Sequence, residues 1–210
     1  GKLSESQADM QNASQSGLSS LQATEARNFL DMIAICENPN QAGASQSRIE
    51  NVLASEPNNP AALVAEGLMD AQNNDPAGAE RAYENVLGRH PGCTIACRNL
   101  AVLYAENLAD PKTAYPVAVK AREAFPDDPA VARALAMILF RQGDYNRAAD
   151  IFNAISNSPT ADARLFYCLG ICEYHLKNYI KTKTSLEHAL TLNLSGPEAV
   201  DARQTLSELH

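Results

Sequence analysis

Apolar residues along the chain recur three and four positions apart, as in Leu100, Ala101 and Tyr104, or Leu135, Ala136 and Leu139. That spacing gathers side chains on one face of a helix. No run sustains a period-two alternation with β-branched enrichment, so no sheet is expected. Breaks between the helical stretches are regular. Prolines stand at Pro57, Pro91, Pro126 and Pro159, separated by 34, 35 and 33 residues. A second set of turns lies midway between them: Asp75-Pro76, Asp110-Pro111, Gly143-Asp144-Tyr145 and Lys177-Asn178-Tyr179. The chain therefore reads as pairs of short helices with a period near 34 residues, and repetition at such a period is the mark of a stacked array.

Local signals agree with the period. Asn59-Pro60 and Asp128-Pro129 place a capping side chain directly before a proline, a favoured way to open a helix. Ser195 with Glu198 three residues on fits a capping box for a last helix. Aligned units expose columns. Small residues recur at Gly67, Ala101, Ala136 and Gly170 on the first helix of each pair. The second helix answers with Ala79, Ala114, Ala148 and Thr182, and four residues later with bulky Tyr83, Phe152 and Leu186, a column that Ala118 weakens in the third unit. Small facing bulky lets two antiparallel helices approach closely.

On these residues the sequence resembles the tetratricopeptide repeat (TPR) family. Leu169-Gly170, Tyr179, Leu186 and Ala189-Leu190 carry the clearest unit, followed by Gly143-Asp144-Tyr145, Ala148 and Phe152. The resemblance implies an all-α, right-handed superhelical solenoid of antiparallel helix pairs. About five repeats are expected, over residues 26–59, 60–93, 94–128, 129–162 and 163–196, within a repeat region of 21–196. Residues 1–20 read as a Ser- and Gln-rich lead-in and 197–210 as a capping helix. In that cap Ala199, Ala202, Leu206 and Leu209 form the apolar face, while Glu198, Asp201, Gln204 and Glu208 are expected to face outward. Two departures stand out: Ile33 occupies the small-residue column in the first unit, and Pro116 should kink or break the helix that contains it.

The family's first helices line a concave surface, so the repeat register assigns inner-face positions. Early units offer Arg27, Asp31, Val64, Leu68 and Gln72. Later units offer Arg98, Asn99, Val102, Arg133, Met137, Phe140, Arg141, Arg164, Tyr167, Ile171, Tyr174 and His175. Arginine forks beside aromatic rings suit carboxylates and extended peptides. The expected function is a protein-interaction module that binds an acidic or extended peptide segment on this face. The alternative is a structural component of a cell-envelope assembly, acting through other surfaces or self-association. Some relatives clamp a chaperone's terminal carboxylate. Arg98 and Arg164 match cationic positions of that clamp, but Val102, Ala134 and Cys168 stand where its other polar residues belong. Chaperone-terminus binding is therefore not expected.

Composition narrows the partners. The 210 residues carry a net charge of -8, and no stretch approaches the roughly 20 apolar residues of a membrane span. Residues 1–93 hold five Lys/Arg against twelve Asp/Glu, whereas 94–210 hold twelve against thirteen. The cations are thus concentrated in the second half, in a short, aromatic-flanked stripe that favours peptide over nucleic acid. A monomer or weak dimer is expected, with no membrane insertion.

Candidate chemistry adds little. Cys93/Cys97 and Cys168/Cys172 sit four apart, one helical turn, which does not aim sulfurs at each other for a disulfide; with Cys36 they read as reduced thiols. Cys168, Cys172 and His175 share a helix face, and His90, Cys93 and Cys97 cluster at a turn, but neither group has an evident fourth zinc ligand. There is no Gly-rich phosphate loop, no H-E-x-x-H and no G-x-S-x-G, so neither a cofactor nor catalysis is expected. The Gly1-Lys2 start leaves room for a trimmed signal or anchor, with a bacterial envelope location in that event and a cytoplasmic one otherwise.

Overall fold

The structure, a computed structural model, describes residues 28, 30–32, 34, 35, 38, 45–107, 109–159 and 161–209. The 1–20 lead-in, Arg27, Ile33 and Cys36 lie outside the described residues. Helical residues between 28 and 35 precede α1 (Gln46–Ser55), α2 (Pro60–Gln72), α3 (Pro76–Arg89) and α4 (Thr94–Glu106). The chain continues through α5 (Pro111–Ala124), α6 (Pro129–Gln142), α7 (Tyr145–Ile155), α8 (Ala163–His175), α9 (Tyr179–Thr191) and α10 (Gly196–Glu208). No strand occurs among the described residues. Two compact units divide within α4, residues 1–103 and 104–210.

All four mid-repeat turns expected from the sequence are helix starts, opening α3, α5, α7 and α9. Side-chain capping accounts for two of these four starts, and for three of the starts between repeats. Asn59, Asp75, Asp128, Asp144 and Asp162 each accept a backbone N–H of the first turn, relieving donors that have no partner within the helix. Ser195 makes no such bond. The expected capping box is therefore absent, because Glu198 instead accepts from Arg164 Nε at 3.1 Å. Helix α5 runs unbroken through Pro116. Pro116 and Lys112, one turn before it, are both exposed, so the carbonyl that loses its helical donor can bond water and no break follows.

In the first unit α2 packs on α1 and on α3. Met32, Ile35, Ile49, Val52, Ala62, Ala65 and Met69 form a core there. Val64 is buried as well, which removes it from the inner-face positions the register assigned. The Gly67 column sits directly against its bulky counterpart: a Cβ at Gly67 would lie 2.5 Å from the Tyr83 ring.

In the second unit consecutive helices pack from α5 to α10. Each first helix also touches the next one, α6 against α8 and α8 against α10. Those two contacts lay three first helices side by side and give them a shared face. Gly170 repeats the Gly67 arrangement, since a Cβ there would lie 2.6 Å from Leu186 Cδ2. Leu186, Ala189, Leu194, Ala199 and Ala202 close the core at the last helix.

Candidate functional site

The face of α8 is built by its neighbour α10. Three polar side chains of α8 each donate to a carboxylate 34 residues ahead. Arg164 Nε donates to Glu198 at 3.1 Å, Tyr167 Oη to Asp201 at 2.8 Å and Tyr174 Oη to Glu208 at 3.1 Å. One repeat step thus carries each donor onto its acceptor. Asp201 and Glu208 are exposed, as the two-faced reading of the cap expects, and Glu198 is half-buried; all three nevertheless accept hydrogen bonds from α8. A helix next to a neighbour has a buried stripe, a solvent side and a flank, and these carboxylates lie on the flank.

The protons of both phenols are held more firmly than usual. Burial and the bond to Asp201 push the Tyr167 hydroxyl upward, and the Glu208 carboxylate does the same to Tyr174. On α6, Arg133 pairs with Asp162, the residue that caps α8, at 2.8 Å. Met137 is buried and accepts a weak bond from the Cys168 thiol at 3.7 Å. Arg141 and Phe140 are half-buried near the end of α6.

A run of rings continues along the turn edge. Phe140 meets Tyr145 edge-on with centroids 6.0 Å apart, and Tyr145 stacks flat on His175 at 4.0 Å. His175 meets Tyr174, which in turn meets Tyr179 at 6.1 Å. His175 is thus packed flat against Tyr145, while Cys168 and Cys172 lie in the core. Those two thiols are buried, and burial pushes each up to about 12. Among the described residues no group of three or more His, Cys, Asp or Glu side chains is placed to hold a metal ion. No helix among them is long and apolar enough to cross a membrane.

Arg98 and Asn99 belong to the first unit, where Arg98 donates to Asn99 Oδ1 at 3.2 Å. Asp31 pairs with Arg48 across 3.6 Å. Arg133, Phe140, Arg141, Arg164, Tyr167 and Tyr174 belong to the second unit, on α6 and α8. The residues missed by the sequence reading are Asp162, Glu198, Asp201 and Glu208. The signal was available, because the offset that defines the repeat leads from Arg164, Tyr167 and Tyr174 to the three cap carboxylates.

Comparisons with known proteins place this geometry. The tetratricopeptide repeat family matches residues 64–108, and the family described as anaphase-promoting complex, cyclosome, subunit 3 matches residues 101–189. The chain is a tetratricopeptide repeat protein. Among solved structures it is similar to YrrB, described as a TPR protein with an unusual peptide-binding site. That match has 18% identity and a TM-score of 0.64, covering 81% of this chain and 88% of that one. It is also similar to MamA AMB-1, at 15% identity and a TM-score of 0.64 over 79% of this chain and 96% of the other. A further MamA crystal structure aligns at 19% identity and a TM-score of 0.57, over 71% and 80% of the two chains. These likenesses establish the TPR solenoid fold. A search of curated proteins finds no match. TPR proteins are typically non-catalytic scaffolds for protein interaction.

Proposed function

We propose that this TPR protein binds an acidic, extended segment of a protein partner on the first-helix face of its second unit. Arg133, Arg141 and Arg164 would supply the charge, with Phe140 and Tyr167 as the ring surface. The observation that supports this most directly is the ladder to the cap, in which the chain's own carboxylates occupy donors of this face at a fixed repeat offset. A face that accepts three carboxylates of its own has the donor geometry a partner's would use. Surface ion pairs of this kind contribute only about 0–1 kcal/mol, so exchanging Asp162 or Glu198 for a partner carboxylate costs little. The proposed face is confined to the second unit and does not include Arg98 or Asn99.

An immobilised peptide library sorted by charge tests the reading. Wild type should retain peptides rich in Asp and Glu, and an Arg133→Glu/Arg141→Glu variant of unchanged helical content should lose them. Equal retention by both chains would overturn it. The assembly reading is favoured by one feature: Leu176, Tyr179 and Ile180 are exposed within five residues of each other. It predicts a particle size that grows with concentration and reverts in Ile180→Glu.

A further inference from the structure

Where the α8–α9 turn meets the end of α10, the rings of Tyr174 and Tyr179 stand 6.1 Å apart and are tilted 56° to one another. They form two walls of a cavity of about 330 Å3 whose other lining residues are Glu208 and Leu209. Tyr179 is 50% exposed, so its ring is held out into solvent beside the opening. Glu208 completes the third side with a carboxylate. Oε2 accepts from Tyr174 Oη at 3.1 Å and Oε1 from Gln204 Nε2 at 3.3 Å. Among the described residues no Lys or Arg pairs with Glu208, although Lys177 and Lys181 are near the turn in sequence. Two rings at an angle, a carboxylate without a counter-ion and the neighbouring Leu209 together make an environment for a cation.

We propose that Tyr174, Tyr179, Glu208 and Leu209 form a binding site for a lysine-type ammonium group of a partner protein. The choice of ammonium over guanidinium follows from Glu208. Each of its oxygens already accepts one hydrogen bond and keeps one further acceptor site; an arginine fork would need both of these at once in one plane, an ammonium only one. A compact ammonium is a point charge and needs no such match. The rings gain from a cation approaching their faces, and the aliphatic stem of the lysine lies against Leu209. The site is separate from the arginines of α6 and needs none of them, so it stands or falls independently of the acidic-segment reading.

The test is an NMR titration of the full chain, observing the tyrosine ring signals. The probes are the short capped peptide Gly-Ser-Lys-Ser-Gly and the same peptide with trimethyl-lysine, arginine or norleucine at its centre. Saturable shifts at Tyr174 and Tyr179 are expected with lysine and trimethyl-lysine. Arginine should bind more weakly, and norleucine should leave the rings unmoved. Glu208→Gln keeps an acceptor for Tyr174 and should weaken lysine binding about three- to tenfold, as should Tyr179→Ala. Tyr179→Phe, which keeps the ring, should bind as wild type does. Equal shifts with norleucine, or lysine binding undiminished in Glu208→Gln, would overturn the site. Tighter binding of arginine than lysine would overturn the choice of ammonium. Binding lost in Arg133→Glu/Arg141→Glu but kept in Glu208→Gln would place the probe at the α6 arginines and refute the proposal too.

Discussion

Adding one methyl group at Gly170 should reverse its effect according to what stands opposite. In an open helix interior Gly→Ala stabilises by about 1 kcal/mol, through backbone entropy and propensity. At Gly170 the new Cβ would lie 2.6 Å and 2.7 Å from Leu186 Cδ2 and Cγ, and 3.3 Å from the Leu186 backbone nitrogen. Ordinary carbon contacts are near 3.5–4.0 Å, so Leu186 must retreat by about 1 Å. It has nowhere to go, being fully buried in the core with Ala189, Leu194, Ala199 and Ala202. Overpacking of this kind costs about 1–3 kcal/mol, so the net effect of Gly170→Ala is a loss of about 1 kcal/mol. Leu186→Ala alone should cost about 2–5 kcal/mol. In that background the two side-chain clashes are gone and only the 3.3 Å approach to the backbone nitrogen remains, so Gly170→Ala should now stabilise, by about 1 kcal/mol at most. The coupling is thus up to about 2 kcal/mol, measurable by urea unfolding of the four chains followed by far-UV circular dichroism. A Gly170→Ala chain more stable than wild type would refute the close approach. So would additivity of the two substitutions.

Glu173 is 4% exposed and accepts from Ser185 Oγ at 2.7 Å. Its carboxyl is raised above 4.5, chiefly by burial. The folded chain therefore keeps this proton to higher pH than the unfolded one, and stability falls as pH rises from the unfolded value through the folded value. Glu173→Gln should be more stable than wild type at pH 7, with the gap closing below about 4.5; thermal melts across pH decide this, and a pH-independent gap would sink it. Lys177 holds φ at 60°, in the left-handed region that disfavours side chains. Lys177→Gly should therefore raise stability by about 1 kcal/mol in urea unfolding, whereas a loss would show that the Lys side chain contributes more than the backbone strain removes. Thiol reactivity should divide the cysteines. Cys93 is half-buried and should react with iodoacetamide in the native chain, while Cys168 and Cys172, buried and pushed up to about 12, should react only on unfolding. Peptide mass spectrometry reads the sites, and native labelling of Cys172 would contradict the packing of α8.

Periodic punctuation made the helix pairs readable because each break has a local cause. Asn59, Asp75, Asp128 and Asp144 cap helices using only neighbours in sequence. Glycine against a bulky side chain was readable for the same reason, as Gly67 with Tyr83 and Gly170 with Leu186 recur at a constant offset. Failures came where a local signal met a competitor from another repeat. The Ser195–Glu198 box is sound by spacing, yet Arg164 captures the carboxylate. The Pro116 break is sound by rule, yet the carbonyl it would orphan is on an exposed stretch. Lys177 gives no compositional hint of its positive φ, since the turns in the other repeats use Asn74 and Gly143 for it.

The cap shows most clearly why a binding face is harder to read than a fold. Hydrophobic periodicity separates buried from unburied positions, and Glu198, Asp201 and Glu208 are correctly unburied. It does not separate solvent from the flank of the next first helix, because both are polar. Only the repeat offset makes that distinction, and it does so by turning a column of Arg98, Arg133 and Tyr167 into one that ends on Asp201. The sign of the face therefore changes along the second unit, from arginines on α6 to Glu208, a hydrogen-bonded carboxylate without a counter-ion, at the end of α10. A partner segment satisfying both proposed contacts would need acidic residues toward α6 and a lysine toward Glu208. The two requirements have opposite charge, so reversing the segment would place like charges together at both ends, and the face would select one chain direction.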